Sequence, residues 1–139
     1  MNTDCVFCKI IAGTLPCAKV CEDADTLAIM DIGPVVKGHT LVIPKLHCDP
    51  ITGVPAEVLQ RLILTVQRVA GAVFKGLGAD GLNVTQANGQ VAGQIVPHVH
   101  FHVIPRFERD GQSRNWIPGK YESKEEMNQF SERIRKALK

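Results

Sequence analysis

The apolar residues of this chain change their period along its length. From Pro55 onward Val58, Leu59, Leu62, Ile63, Val66, Val69, Ala70, Val73 and Phe74 recur at intervals of three and four, with Gln60, Arg61, Gln67, Arg68 and Lys75 between them. That spacing puts one stripe of a helix on a core and predicts a long amphipathic helix over 55–75. Pro55 suits its first turn, and Gly76-Leu77-Gly78 suits its end. A second stripe, Met127, Phe130, Ile134 and Leu138, follows Ser123-x-x-Glu126, the pattern of a capping box. Its basic end, Arg133, Arg135, Lys136 and Lys139, suits the negative pole of a helix dipole.

Elsewhere the period is two, or the runs are short and β-branched. Val20 to Glu22 and Thr26 to Asp31 read as a hairpin around Asp23-Ala24-Asp25, and Gly38 to Pro44 reads as a strand bounded by glycine and proline. Gly81 to Gln86 alternates as a further strand. Cys5 to Ile11 fits a short helix or turn, stopped by Gly13 and Pro16. The segments joining the strands are too short for parallel crossovers. The expected class is therefore α+β: a mostly antiparallel five-stranded sheet, one long central helix and a C-terminal helix, in one domain over 1–139.

The last strand carries the most informative pattern, His98-Val99-His100-Phe101-His102 followed by Val103-Ile104-Pro105-Arg106. In extended chain the three imidazoles share one face, about 6 to 7 Å apart, while Val99, Phe101 and Val103 share the other. Imidazole is the side chain that titrates near neutrality. A row of three can hold a metal, accept a phosphoryl or nucleotidyl group, or pass protons.

Composition narrows the setting more than the chemistry. The chain has 139 residues, 45% hydrophobic and 22% charged, with a formal charge of +2. That length buries a core without disulfides, and so small a charge, with no basic run, argues against nucleic acid or an anionic membrane as partner. No apolar run approaches the length of a membrane span, and Met1-Asn2-Thr3-Asp4 does not resemble a signal peptide. A cytoplasmic protein is expected. In that compartment five cysteines read as thiols or metal ligands, with Cys17, Cys21 and Cys48 as ordinary semi-buried thiols.

Cys5-x-x-Cys8 is spaced so that two thiolates can bite one tetrahedral zinc ion, which two imidazoles would complete. The candidates are His47, just after a strand, and His98, first in the triplet; His100 and His102 must stay metal-free if they do chemistry. A thioredoxin-type pair would follow a strand and open a long helix, and nothing of that kind precedes Cys5. Between the fourth strand and the triplet lies Ala87-Asn88-Gly89-Gln90-Val91-Ala92-Gly93-Gln94-Ile95. Its glycines let backbone N–H groups approach an anion, and directly before three histidines it reads as a phosphate cradle.

His98-Val99-His100-Phe101-His102-Val103-Ile104 resembles the signature of the histidine-triad family of nucleotide-binding proteins. The likeness extends to Phe7-Cys8-Lys9-Ile10-Ile11, Leu27 to Ile32, Gly38 to Lys45 and Ala92-Gly93-Gln94, nearly the whole chain in order. The cysteine pair is similar to small bacterial-type members with a structural zinc. The resemblance implies a nucleotidyl hydrolase or transferase acting on purine nucleotide conjugates through a covalent nucleotidyl-histidine, in a homodimer. It implies His100 as nucleophile with its tautomer fixed by the His98 backbone carbonyl, His102 as donor to a phosphoryl oxygen and His39 as a further active-site histidine. Asp31 would take the ribose hydroxyls beside Ile32, Phe7, Ile10 and Leu15 would hold the base, and Asn88, Gly93, Gln94 and Ile95 would line the phosphate loop. Cys5, Cys8, His47 and His98 would bind the zinc.

Two positions depart from the family pattern. Ile95 stands where members active on phosphoramidates often have a hydroxyl residue that helps protonate the leaving group, and Ala87 stands where many have Asn. Two rival readings stay open on sequence. One is a zinc metallohydrolase in which all three triplet histidines bind the metal; the other is a nucleotide-binding regulator with little turnover.

Overall fold

A computed structural model of the chain describes residues 2–112 and 116–138. In chain order it contains α1 (Val6–Ile11), β1 (Lys19–Glu22), β2 (Thr26–Met30), β3 (Thr40–Pro44), α2 (Ala56–Leu77), β4 (Gly81–Gln86), β5 (Phe101–Arg106) and α3 (Lys124–Ala137). The strands form one sheet in the order β1-β2-β3-β5-β4, with every pairing antiparallel. The fold is α+β as the periodicities require.

Alternation in β2 and β3 assigns the two faces of the sheet. Ala28, Met30 and Val42 meet Leu62, Val66, Val69 and Val73 of α2 and Ile134 of α3. Leu27, Ile29, Leu41 and Ile43 point the other way and meet Cys5, Phe7 and Cys8 from α1 and its cap. Both strands are thus buried throughout. Each fully buried Leu, Ile or Val contributes roughly 1.5–3 kcal/mol through removal from water. The long helices cover one face; the short helix and the histidines share the other.

Several boundaries differ from the sequence expectation for local reasons. Pro55 is the cap of α2 rather than a first-turn residue, and the helix runs through Gly76 to Leu77. A Cβ at Gly76 would lie 2.7 Å from the Arg133 carbonyl oxygen and 3.1 Å from Ala137 Cβ, so this glycine marks a close approach of α3, not a helix end. The stop is Gly78, left-handed at φ 62°, whose N–H reaches the Phe74 carbonyl. In α3 the Ser123 hydroxyl accepts the Glu126 N–H, and the Glu126 carboxylate accepts the N–H of Glu122. Lys139, counted in the basic end of that helix, lies outside the described residues.

The histidine strand is shorter than its alternation suggests. The ladder starts at Phe101, and the Val99 N–H goes to the Cys48 carbonyl instead of a neighbouring strand. His98 therefore stands at a bend, its N–H closing onto the Val96 carbonyl at 2.9 Å, and His100 in irregular chain ahead of β5. Only His102 belongs to the ladder, opposite Leu41 of β3 and Thr85 of β4.

Candidate functional site: three histidines with three fixed tautomers

Each imidazole of the triplet is held by a partner that decides which nitrogen carries its proton. The His98 Nε2–H donates to the Pro44 carbonyl at 2.8 Å, which leaves Nδ1 unprotonated. The His100 Nδ1–H donates to the carbonyl of His98 at 2.7 Å, which leaves Nε2 as a free lone pair. For His102 the decision passes through His39. The Val35 N–H donates to His39 Nδ1 at 3.2 Å, so the His39 proton sits on Nε2 and is donated to His102 Nδ1 at 2.8 Å. His102 must then carry its own proton on Nε2.

Burial keeps the set neutral. His39, His98 and His100 are buried, and desolvation pushes all three below the ordinary histidine value. Desolvation takes His102 down to about 4, with the charges of His100 and His39 acting in the same sense. At neutral pH these are uncharged imidazoles with fixed donors and acceptors. The rings of His100 and His102 are 4.9 Å apart, closer than the strand spacing alone would bring them.

The triplet does not converge on one point. His98 Nδ1 turns away from the other two, to 3.4 Å from Cys5 Sγ, 3.7 Å from Cys8 Sγ and 3.1 Å from His47 Nδ1; His47 Nδ1 is 3.3 Å from Cys8 Sγ. Four donors bound at about 2.0–2.3 Å to a tetrahedral ion stand roughly 3.3–3.8 Å apart, so this cluster has the size and donor set of a Cys₂His₂ centre. The Pro44 carbonyl, accepting the Nε2–H of His98, orients that imidazole from behind. Among the described residues the second convergent group is Asp31, His39 and His102. A metal centre built from all three triplet histidines is not what the geometry offers.

The remaining predicted residues fall around this face in different ways. Asp31 follows β2, with Oδ1 accepting the Gly33 N–H at 2.8 Å and Oδ2 3.4 Å from His39 Nε2. Phe7 is buried edge-on against the rings of His98 and His100, at 5.7 and 4.9 Å between centroids. Ile10 is half-buried, while Leu15 and Ile32 are exposed. Ile95 is 89% exposed, so its side chain serves no packing purpose within this chain. Gly93 adopts φ 98°, open to glycine and strained for other residues. The Asn88 amide is engaged with Gln86 on both its atoms, and its oxygen also accepts the Ile51 N–H. Cys17 is exposed rather than semi-buried; Cys21 and Cys48 are partly buried, and all five cysteines are free.

A family model described as the HIT domain matches residues 12–109. The chain belongs to the HIT family. It is 44% identical over 110 residues to an adenylylsulfatase of Arabidopsis thaliana, covering 79% of this chain and 56% of that one. An adenosine 5'-monophosphoramidase of Schizosaccharomyces pombe is 40% identical over 136 residues, covering 97% and 98%. A zinc-bound histidine triad protein from Mycobacterium smegmatis superposes with a TM-score of 0.86 at 38% identity, over 96% of this chain and 92% of that one. No helix among the described residues of this HIT protein is long and apolar enough to cross a membrane.

Three groups that shape the HIT site carry no sequence signal of their own. Val35 acts through its backbone N–H. Tyr121, far along the chain, accepts the Gly38 N–H at 3.0 Å and so steadies the residue before His39. Asp49 accepts the Gln94 Nε2–H at 2.7 Å. Each lies in a loop, where neither period nor motif marks a contact partner.

Proposed function

We propose that the chain hydrolyses purine nucleotide conjugates at the α-phosphate through a nucleotidyl group held on His100 Nε2. The observation that carries this reading is the 2.7 Å bond from His100 Nδ1–H to the His98 carbonyl, which leaves Nε2 as the one free lone pair of that ring. Nε2 attacks phosphorus, and the leaving atom departs with its bonding pair and is protonated by solvent, since Ile95 offers no proton. Water then attacks the same phosphorus, the bond to Nε2 breaks with its pair returning to the ring, and nucleoside monophosphate leaves. The Nε2–H of His102 is the donor for a phosphoryl oxygen, held in place by the His39 Nε2–H behind it.

Cys5, Cys8, His47 and His98 would hold a structural zinc ion, supported by the tetrahedral spacing of their donor atoms and by the zinc in a solved relative. The ion would fasten α1 to the loop after β3 and would lock the His98 backbone whose carbonyl sets His100. Asp31 would take the ribose hydroxyls, and Phe7, Ile10, Leu15 and Ile32 would flank the base. Free thiols fit a cytoplasmic setting. β4 is an edge strand, and Ile63, Leu64 and Phe74 on α2 and Val84 on β4 are exposed, which supports a two-fold homodimer through that side.

Incubation with adenosine and guanosine phosphoramidates, diadenosine polyphosphates and acyl-adenylates is expected to release nucleoside monophosphate, and an alkaline denaturing quench, under which a phosphorus–nitrogen bond survives, is expected to trap a nucleotidyl-histidine adduct on His100. Tight AMP binding with no turnover on any of these substrates would favour the regulator instead.

A further inference from the structure

We infer that Asp49 is a positioning residue that couples the zinc cluster to the phosphate cradle. The inference rests on reading Cys5, Cys8, His47 and His98 as a zinc site and 88–95 as the cradle. Gln94 is the buried side chain of that loop, at 6% exposure, and both ends of its amide are spoken for. Its Oε1 accepts the Gly89 N–H at 2.7 Å, closing the loop on itself, and its Nε2 donates to Asp49 Oδ1 at 2.7 Å. The cradle is therefore shaped by an amide that is anchored outside it.

The anchor belongs to the loop that carries His47. His47 Nδ1 lies 3.1 Å from His98 Nδ1 and 3.3 Å from Cys8 Sγ, two residues before Asp49. Between them, the Cys48 carbonyl accepts the N–H of Val99 at 2.9 Å, which fixes the loop against the backbone joining His98 to His100. A second tie, from the Ile51 N–H to Asn88 Oδ1 at 2.8 Å, fastens the far end of the same loop to the start of the cradle. A shift of the His47 backbone passes to Asp49 through one intervening residue, and a shift of Asp49 breaks its bond to Gln94. A carboxylate receiving an amide N–H is a charge-assisted bond, stronger than a neutral pair. Asp49 itself is exposed, so the packing of the core does not hold it there.

Coupling between two sites is reciprocal: if zinc shapes the cradle, phosphate in the cradle must tighten zinc. The test measures zinc affinity by equilibrium competition with a chromophoric chelator, with and without AMP, beside calorimetric AMP affinity. Wild type is expected to hold zinc about ten-fold more tightly with saturating AMP, a protection within the usual range of coupling between sites. Asp49→Ala is expected to keep its zinc content, bind AMP more weakly and lose that protection. Asp49→Asn retains an oxygen that can accept the Gln94 N–H, and it is expected to keep most of the protection. Equal protection in Asp49→Ala and wild type overturns the inference, as does its complete loss in Asp49→Asn. A wild type that binds AMP but holds zinc with one affinity throughout sinks the coupling and leaves the nucleotide reading standing; a wild type that binds no AMP sinks both.

Discussion

The His98 carbonyl accepts the His100 Nδ1–H at 2.7 Å while the His98 ring turns its own Nδ1 to Cys5, Cys8 and His47. One residue thus faces two tasks, its side chain toward a metal cluster and its backbone toward the nucleophile.

That division separates the two readings of the triplet by experiment. His100→Ala is expected to lose turnover by on the order of 10⁴-fold or more, as when a covalent nucleophile is removed, with zinc content unchanged. Metal analysis on the purified variant beside a steady-state assay checks both. Loss of zinc together with activity would instead support a triplet-bound catalytic metal.

Acid sensitivity follows from the buried imidazoles. His39, His100 and His102 all have folded values below the ordinary one, so the unfolded chain binds more protons between the folded values and about 6.5. Stability is then unaffected by these groups above about pH 6.5, falls as pH drops below it, and for His102 stops falling near its folded value of about 4. His102 alone accounts for about 3 kcal/mol across that window. Urea unfolding at pH 7.5, 6 and 5 checks the slope, and His102→Gln is expected to flatten it.

How much of this was legible in the chain depends on the range of the cause. The helical stripes and the two-faced strands are local patterns, and α2, α3, β2, β3 and β4 follow them closely. Cys5, Cys8, His47 and His98 could be grouped because thiolate spacing and metal chemistry restrict the partners to few residues. Gly76 could not be read correctly, since its reason is the Arg133 carbonyl on another helix. Nor could the tautomers of His98 and His39, which hang on the carbonyl of Pro44 and the N–H of Val35; the His98 carbonyl behind His100 was accessible only through the family resemblance. Backbone groups are present at every residue, so their use at one place leaves no trace in composition.

Gly38 offers a test of how tightly the His39 loop is set. It has φ 106°, and a Cβ there would collide with Leu77 Cδ1 and come 3.1 Å from Pro105 Cγ. Gly38→Ala therefore combines a strained backbone with overpacking and is expected to cost roughly 2–4 kcal/mol. Thermal unfolding reads the loss. Because the Gly38 N–H is also held by Tyr121, Tyr121→Phe is expected to lower kcat with a smaller loss of stability than Gly38→Ala.

Removing the metal should loosen the face that carries the nucleophile. Cys8 is 1% exposed, and its thiol meets both His47 and His98. Cys8→Ala is expected to abolish stoichiometric zinc binding. A chelator is expected to lower the melting temperature of wild type and leave that of the variant unmoved, because stabilisation by a ligand requires a site that binds it. An unchanged wild-type melting temperature on full zinc removal would deny the cluster a structural role.

Ile95 sets the expected leaving-group preference. An aliphatic side chain donates no proton, so alkylamine leaving groups, which need one, should be cleaved poorly beside acyl or phosphoryl groups that depart as stable anions. At 89% exposure the side chain contributes little packing, and Ile95→Ser should be nearly neutral for stability, within about 0.5 kcal/mol. A hydroxyl there is expected to raise kcat/KM for alkyl phosphoramidates by about 10²-fold, the low end for a positioned proton donor, and to leave acyl-adenylates nearly unchanged. The comparison of two substrates on one variant separates proton donation from a general change in the loop: equal gains on both would mean that the substitution had reshaped the cradle rather than supplied a proton.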